Sequence, residues 1–146
     1  MSNYDTFHEV LVNLFNEIMS IEEKAIITEE FKDISNNDMH IIEAIGIDGS
    51  RNMSSIAKNL SVTVGTLTIA INNLVKKGYV RRVRSERDRR VVLISLTEKG
   101  IRAYEHHRIF HDEMIKALLA DLDIEQTEIL VKSLTNLLEF FKRYGK

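Results

Sequence analysis

The run Lys76-Lys77-Gly78-Tyr79-Val80-Arg81-Arg82-Val83-Arg84-Ser85-Glu86-Arg87-Asp88-Arg89-Arg90-Val91-Val92-Leu93-Ile94-Ser95-Leu96-Thr97-Glu98 decides the fold. It reads as a helix end, a strand, a tight arginine-rich turn, a second strand and the start of a new helix. Lys76 and Lys77 sit at the negative end of the first helix, and Gly78 terminates it. The strands are expected over Tyr79–Arg84 and Arg90–Leu96, with Thr97 capping the helix that follows. Both strands carry apolar residues, so the hairpin is anchored to a core and is more than a basic tail. Between Lys76 and Arg90 there are eight Lys/Arg against two Asp/Glu. A short hairpin that lifts arginines away from the body suits the narrow minor groove of DNA, where negative potential is focused. The plainer reading, a loop of surface ion pairs worth about 0–1 kcal/mol, leaves the two presenting strands without a purpose.

Upstream, Thr63 caps a helix from Val64 to Lys77, preceded by a tight turn at Ser61-Val62. A short helix from about Ser54 to Leu60 turns Ile56, Ala57 and Leu60 inward. Ser35-Asn36-Asn37-Asp38 resembles a capping box and opens a helix through Met39, Ile41, Ile42 and Ile45, which Gly46 and Gly49 end. Phe7, Val10, Leu11, Leu14, Phe15, Ile18 and Ile21 recur at helical spacing, giving a long amphipathic helix over about 4–25. Downstream, the helix opened by Thr97 runs to about Leu119. Ala120 to Asp123 connects it to a last helix from Ile124 to Tyr144. The order is α-α-α-α-β-β-α-α, with no proline, no repeat and no low-complexity linker. The expected fold is mainly α with a two-stranded β-wing: a winged helix-turn-helix flanked by N- and C-terminal dimerisation helices. We read one domain, 1–146, whose DNA-binding lobe is 30–97 and whose dimerisation helices lie in 1–29 and 98–146.

The 146 residues carry a net charge of -2 that hides a partition. Residues 1–50 hold two basic and eleven acidic side chains, whereas residues 51–90 hold ten basic and two acidic. One positive lobe on an acidic body is the footprint of a nucleic-acid binder that docks a single face. A solvated helix end beside a charged loop would give a similar count. The absence of cysteine excludes disulfides, thiol catalysis and cysteine-ligated zinc. No apolar stretch approaches the roughly 18–20 residues of a membrane span, and the N-terminus lacks the pattern of a signal peptide. This composition permits a cytoplasmic home, without membrane contact.

On the helix from Val64 to Lys77, Leu67, Ile71, Leu74 and Val75 are expected to face the core. The other side offers Thr63, Gly65, Thr66, Thr68, Ile69 and Asn72, small or polar groups at a positive helix end that enter a major groove without clashing. Hydroxyls bond phosphates or base edges, a Thr methyl or Ile69 packs on a thymine methyl, and Asn72 can pair with adenine. Gly65 lets the backbone come close. An exposed helix chosen only for solubility would favour Glu and Lys. At the wing, Arg84, Arg87, Arg89 and Arg90 bracket Ser85, Glu86 and Asp88. Asp88 is suited to hold one arginine extended while Arg89 or Arg90 enters the minor groove. Arg81 and Arg82 alternate across their strand, so one of them reaches phosphate.

The terminal helices call for a partner. Leu130, Leu134, Leu137, Leu138 and Phe141, with Phe140 and Tyr144 beside them, form a wide apolar stripe on the last helix, and the first helix has its own. A winged module of roughly 60 residues has too little core to cover both. A second copy would, giving a homodimer whose paired lobes suit a two-fold DNA site; a bundle within one chain is the alternative.

The helix-turn-helix Met53–Gly78 and the wing ending Asp88-Arg89-Arg90-Val91-Val92-Leu93-Ile94-Ser95-Leu96-Thr97-Glu98-Lys99-Gly100 resemble the MarR family of bacterial transcription regulators along nearly the whole chain. That resemblance implies a dimer that binds pseudo-palindromic double-stranded operators. Phe31-Lys32-Asp33-Ile34-Ser35, Met39-His40, Val62-Thr63-Val64-Gly65-Thr66-Leu67-Thr68, Asn72-Asn73-Leu74, Lys77-Gly78-Tyr79 and Arg82-Val83-Arg84-Ser85-Glu86 are similar to the FabT branch. This narrower likeness implies a repressor of fatty-acid biosynthesis genes with no resident cofactor. Its corepressor would be a long-chain acyl group on acyl carrier protein. The acyl chain would lie among Phe15, Ile18, Met19, Met39, His40, Ile42, Phe110 and Met114, although each of these is also ordinary core material. Arg102, Arg108 or Lys116 would meet the acidic carrier.

His107 and His111 stand at i and i+4 beside His106, so they share a helix face and are suited to zinc, with Asp112, Glu113 or a first-helix carboxylate completing a site. Polar contacts at a dimer seam use the same residues, and no metal site is assigned. A regulator answering to zinc or to a small aromatic or lipophilic molecule is thus the alternative effector reading. An enzyme is not expected. The chain has no glycine-rich phosphate loop, no Ser-His-Asp order and no His-Glu-x-x-His motif.

Overall fold

A computed structural model describes residues 2–26 and 30–145, with side chains for all of these except 22, 23, 25 and 26. The chain divides into two compact units, Met1–Ile109 and Phe110–Lys146. The first holds α1 (Asn3–Ile26), α2 (Asn36–Ile45), β1 (Arg51–Asn52), α3 (Met53–Leu60), α4 (Val64–Lys77), β2 (Val80–Arg84), β3 (Val92–Leu96) and the first half of α5 (Glu98–Leu119). The second holds the end of α5 and α6 (Ile124–Tyr144). The mainly helical winged fold expected from the sequence is the one observed. Residue 29, where the N-terminal helix region was expected to end, lies outside the described residues.

Local chemistry sets most of these boundaries. Ser35 and Asp38 form the reciprocal capping box, Ser35 Oγ accepting from Asp38 N at 3.1 Å and Asp38 Oδ2 from Ser35 N at 3.1 Å. The Thr63 hydroxyl accepts from Thr66 N and opens α4. Gly78 closes it at φ 88°, a left-handed conformation in which glycine carries no Cβ penalty.

The sheet departs from the expected two-stranded wing. It has three antiparallel strands in the order β1-β3-β2, with Arg51 opposite Ile94 and Arg82 opposite Ile94 on the other side. β1 escaped notice because two polar residues carry no alternating apolar signal. Arg51 is structural: its guanidinium donates to the Ala44 carbonyl and to Ser55 Oγ, tying the end of α2 to α3. α3 starts at Met53, one residue earlier than expected, because Asn52 Oδ1 accepts from Ser55 N at 2.7 Å.

The two wing strands are shorter than expected. Tyr79 N donates to Leu74 O as part of the helix cap, so only its carbonyl reaches across, to Thr97 N, and β2 begins at Val80. Arg90 N donates to Asp88 Oδ1 and Val91 N to Asp88 O, which keeps both residues in the turn until β3 starts at Val92.

Phe31, Met39, Ile42, Ile45, Ile56, Leu67, Ile71, Leu74, Tyr79 and Ile94 lie at the heart of one buried cluster. Leu67, Ile71 and Leu74 present the expected inward face of α4. Val75, expected with them, is exposed. α5 passes so close behind the wing that a Cβ at Gly100 would sit 2.1 Å from the Tyr79 carbonyl oxygen, so only glycine fits there.

Tyr79 locks the base of α4. Its hydroxyl donates to Asp33 Oδ1 at 2.6 Å, its carbonyl accepts from Thr97 N, and Lys99 Nζ stands 4.4 Å above its ring. The hydrogen bond from Tyr79 holds the Asp33 carboxyl below its ordinary value of 3.8, while burial and then that carboxylate push the phenol up. A depressed carboxylate contributes stability above its unfolded pKa and loses it as the pH falls through the folded value. Tyr79→Phe is therefore expected to cost about 1–2 kcal/mol at neutral pH. The deficit should shrink on acidification below about pH 3.8. Urea unfolding at several pH values checks this, and a deficit independent of pH would rule out the ionic hydrogen bond as its source.

In the second unit, Asp123 and Gln126 cap α6 reciprocally, with hydrogen bonds of 2.8 and 3.0 Å. No residue of α6 is buried. Phe141 and Leu138 are more than half exposed, as are Phe7 and Phe15 on α1. Among the described residues no helix is long and apolar enough to cross a membrane.

Candidate nucleic-acid interface

The outer face of α4 is built from the residues that the core leaves over. Ile69 stands 68% exposed on this otherwise polar helix face. A Cβ at Gly65 would meet only the Thr63 hydroxyl, at 4.0 Å. Among the described residues nothing requires glycine there, although glycine in a helix costs about 1 kcal/mol against alanine. The space beside the Gly65 backbone is open to an approach from outside. Thr63 donates to Thr66 Oγ1 at 2.9 Å, which leaves the Thr66 proton for an external partner. Thr68 is spent on its own helix, donating to Val64 O at 2.8 Å. Asn72 is exposed, and its Oδ1 accepts from the Arg82 guanidinium.

The wing sorts its arginines by alternation along β2. Val80 is buried, so Arg82 and Arg84 share its face, while Arg81 and Val83 lie on the other, both exposed. Arg84 braces the turn by donating to Arg89 O at 2.9 Å. Arg90 is the arginine that Asp88 holds, through Nε–Oδ1 at 3.0 Å and Nη2–Oδ2 at 3.1 Å. This fork keeps the Asp88 carboxyl below the usual carboxylate range. The Arg90 side chain is nevertheless 91% exposed, so it is aimed without being hidden. Arg81, Arg87 and Arg89 make no side-chain ion pair or hydrogen bond among the described residues and remain available as cations. A hollow of about 290 Å³ lined by Asn52, Met53, Ser54 and Arg90–Val92 separates the wing from the start of α3.

The residues suggested for an effector are placed less uniformly. In the first unit, Met39 and Ile42 are fully buried in the core, Phe15 and Met19 are exposed, and Ile18 is half-buried. His40 is exposed and borders a cavity of about 160 Å³ with Asn37, Ile41, Leu60, Val62, Thr66, Leu67 and Ala70, directly behind α4. In the second unit, Phe110 is half-buried and packs edge-on against His111, and Met114 is exposed. Of the basic residues suggested for a carrier, Arg102 pairs with Glu30 at 2.6 Å. Arg108 approaches the Tyr104 hydroxyl, and Lys116 is exposed in the second unit.

His106 and His107, adjacent in the chain, meet different neighbours. His106 packs on Phe31 with ring centroids 5.7 Å apart. His107 is 2% exposed, and its Nε2 lies 2.7 Å from Glu43 Oε1. Glu43 was not among the carboxylates expected from sequence, which were Asp112, Glu113 and a first-helix group; of the last, Glu22 and Glu23 lie outside the described side chains. Glu43 escaped because it is distant in the chain and belongs to no spaced motif. Together Glu43 and His107 bring two ligand types that a divalent cation uses to one point.

Residues 19–107 match the family described as transcriptional regulator SarA/Rot. Over the full fold the chain is similar to Streptococcus pneumoniae FabT, solved in complex with DNA. The identity is 40%, the TM-score 0.84, and the coverage 97% of this chain and 99% of that one. The multiple antibiotic resistance protein MarR of Salmonella typhimurium is 29% identical over 138 residues, 84% of this chain and 95% of its own length. SarZ of Staphylococcus haemolyticus is 33% identical over 96 residues, 66% of this chain, and the match spans only 63% of SarZ. These relatives are transcriptional regulators and not enzymes. The cap-for-cap helix-turn-helix, the arginine wing with its Asp88–Arg90 fork and this set of relatives lead to one conclusion: the chain belongs to the MarR family of winged-helix transcriptional regulators, with the SarA/Rot regulators among its matches.

Proposed function

We propose that this protein is a homodimeric, DNA-binding repressor of fatty-acid biosynthesis genes, with long-chain acyl groups on acyl carrier protein as its corepressor. The observation that carries this reading is the 40% identity to FabT over 97% of this chain, above the 28% found for a DNA complex of MepR. The geometry supports the DNA half directly. α4 supplies a small, uncharged face for a major groove, and the wing supplies arginines for the minor groove beside it.

Dimerisation is supported by the apolar faces of α1 and α6, each considered by itself. A second copy covering them gives two α4 helices for the two halves of a pseudo-palindromic site. In a bacterium such a protein works in the cytoplasm, on the nucleoid. The acyl half rests on the likeness to FabT and, within the first unit, on the exposed apolar side chains Phe15 and Met19 of α1. Burying each methylene contributes on the order of 0.8 kcal/mol, enough in a long chain to offset the ordering of two lobes.

The test is a gel shift with the promoter of the organism's own fatty-acid genes, with and without acyl carrier protein charged with long chains. The charged carrier is expected to strengthen the shift by at least tenfold over the uncharged one. An unchanged shift would reject the corepressor and leave the DNA reading intact. The Glu43–His107 pair favours one second reading, a response to zinc, which predicts that zinc alone changes the shift and that Glu43→Gln removes the change.

A further inference from the structure

We infer that Gly65 and Ile69 form a seat for a thymine methyl group on the outward face of α4, so that one thymine in each half of the bound duplex is chosen by its methyl. The inference rests on the DNA-binding reading above and concerns which base the interface selects.

Burial fixes where Ile69 stands. Leu67, Ile71 and Leu74 hold the inner side of α4. Ile69 lies midway between Leu67 and Ile71 in the chain, about half a helical turn from each. It therefore occupies the middle of the side that faces away from the core, and it is 68% exposed. Side chains of a helix lean toward its N-terminus, so Ile69 leans over the turn that holds Gly65. Gly65 has no side chain to fill that turn. Apart from the helix backbone itself, a Cβ there would meet only the Thr63 hydroxyl oxygen, at 4.0 Å. An aliphatic wall thus stands beside an open step in the helix surface. No charged residue occurs over 62–75, so this stretch has no ionic hold on phosphate and is suited to the floor of a groove.

Chemistry then selects the base. Ile69 has no polar atom, so against the donors and acceptors of a base edge it would displace water and return no hydrogen bond. Of the four bases only thymine carries a methyl group in the major groove, at C5. Gly65 and Ile69 offer that methyl a bare backbone step on one side and an aliphatic surface on the other. From sequence, the threonine methyls and Ile69 are alternatives for this contact. Thr68 is half-buried and donates its hydroxyl to Val64 O, which holds its side chain against its own helix. Thr66 is exposed but, next to Leu67 in the chain, lies to the flank of the outward side. Ile69 is left at the centre.

Selection of bound duplexes from a random pool by the full chain, followed by replacement of each thymidine of the winner with deoxyuridine, tests the seat. Deoxyuridine differs from thymidine only in lacking the methyl. At one position in each half-site the replacement is expected to weaken binding about fourfold, the loss of one buried methyl group. At that position 5-methylcytosine should bind more tightly than cytosine by a similar factor, about four. Ile69→Ala should bind the thymine and uracil duplexes alike, which separates contact with Ile69 from any change in the duplex itself. Gly65→Ala favours the helix and puts a methyl where the thymine methyl would lie. It should also lose the distinction, and it serves if Ile69→Ala does not fold. A wild-type profile in which no thymine is sensitive to loss of its methyl would overturn the inference. So would a sensitivity that persists undiminished in either variant. Failure to select any duplex would sink the DNA-binding reading itself, whereas selection followed by a flat deoxyuridine scan sinks only the seat.

Discussion

Arg90→Ala should weaken operator binding by about 2–6 kcal/mol, taking 1–3 kcal/mol for each lost contact and two contacts per dimer. The fold should be unaffected. The Arg90 side chain is 91% exposed, and among the described residues its only side-chain partner is Asp88, itself on the turn. Truncating a surface group of this kind ordinarily moves stability within about 0.5 kcal/mol. The effect on DNA should be large because the Asp88 fork has already fixed the guanidinium before DNA arrives, so little side-chain freedom remains to be lost on binding. Asp88→Ala should accordingly weaken binding less than Arg90→Ala, since the cation remains and only its orientation is lost. Arg89→Ala should act with Arg90→Ala through the loss of an unpaired cation, and lower the slope of log affinity against log salt. Anisotropy titrations at several salt concentrations, paired with thermal unfolding, read all three variants. Untouched affinity in Arg90→Ala, or an unfolded variant, would show that the wing has been misassigned.

Removal of residues 124–146 should abolish dimerisation and, with it, high-affinity operator binding. The helix deleted has no buried residue, yet Leu134, Leu138, Phe141 and Tyr144 lie on it among the exposed large hydrophobic groups. An apolar surface of that extent on a single chain marks an interaction site. At about 25 cal/mol per Å² of apolar area, a standard interface supplies the association energy of a stable dimer. Losing it should cost DNA affinity by orders of magnitude, because two linked lobes bind a paired site far more tightly than either alone. Leu134→Glu with Leu138→Glu is the gentler version, placing charges on the apolar face while keeping the helix. Analytical ultracentrifugation decides the matter. A full-length chain that sediments as a monomer would refute the interface, as would a truncated chain that remains a dimer.

Signals that act over one helical turn were legible from sequence. The Ser35 box, the Thr63 cap and the Gly78 stop each depend on residues within four positions, so residue type and spacing carry their geometry. The hairpin was legible for a related reason, since its strands follow one another and its turn is marked by charge. β1 was not, because a two-residue strand exists only through its pairing with β3, some forty residues further along the chain. The early end of the ladder at Tyr79 and its late start at Val92 were also decided by competing hydrogen bonds, from a helix cap and from the Asp88 turn.

The candidate site divides along the same line. Threonines, glycine and arginines in this order marked a candidate DNA-reading surface, since their chemistry does not depend on where they fold. Which arginine does what was settled only in three dimensions: Arg51 ties α2 to α3, Arg84 braces the turn, Arg82 holds Asn72 and Arg90 is held by Asp88. The pairings Tyr79–Asp33 and His107–Glu43 belong to this second class as well. Residue order alone determined the helices, the wing and its basic charge, because periodicity, caps and charge are properties of neighbours along the chain. Tertiary structure alone decided the partner of each polar group, because a guanidinium or carboxylate accepts many partners and only packing brings one of them within hydrogen-bonding distance.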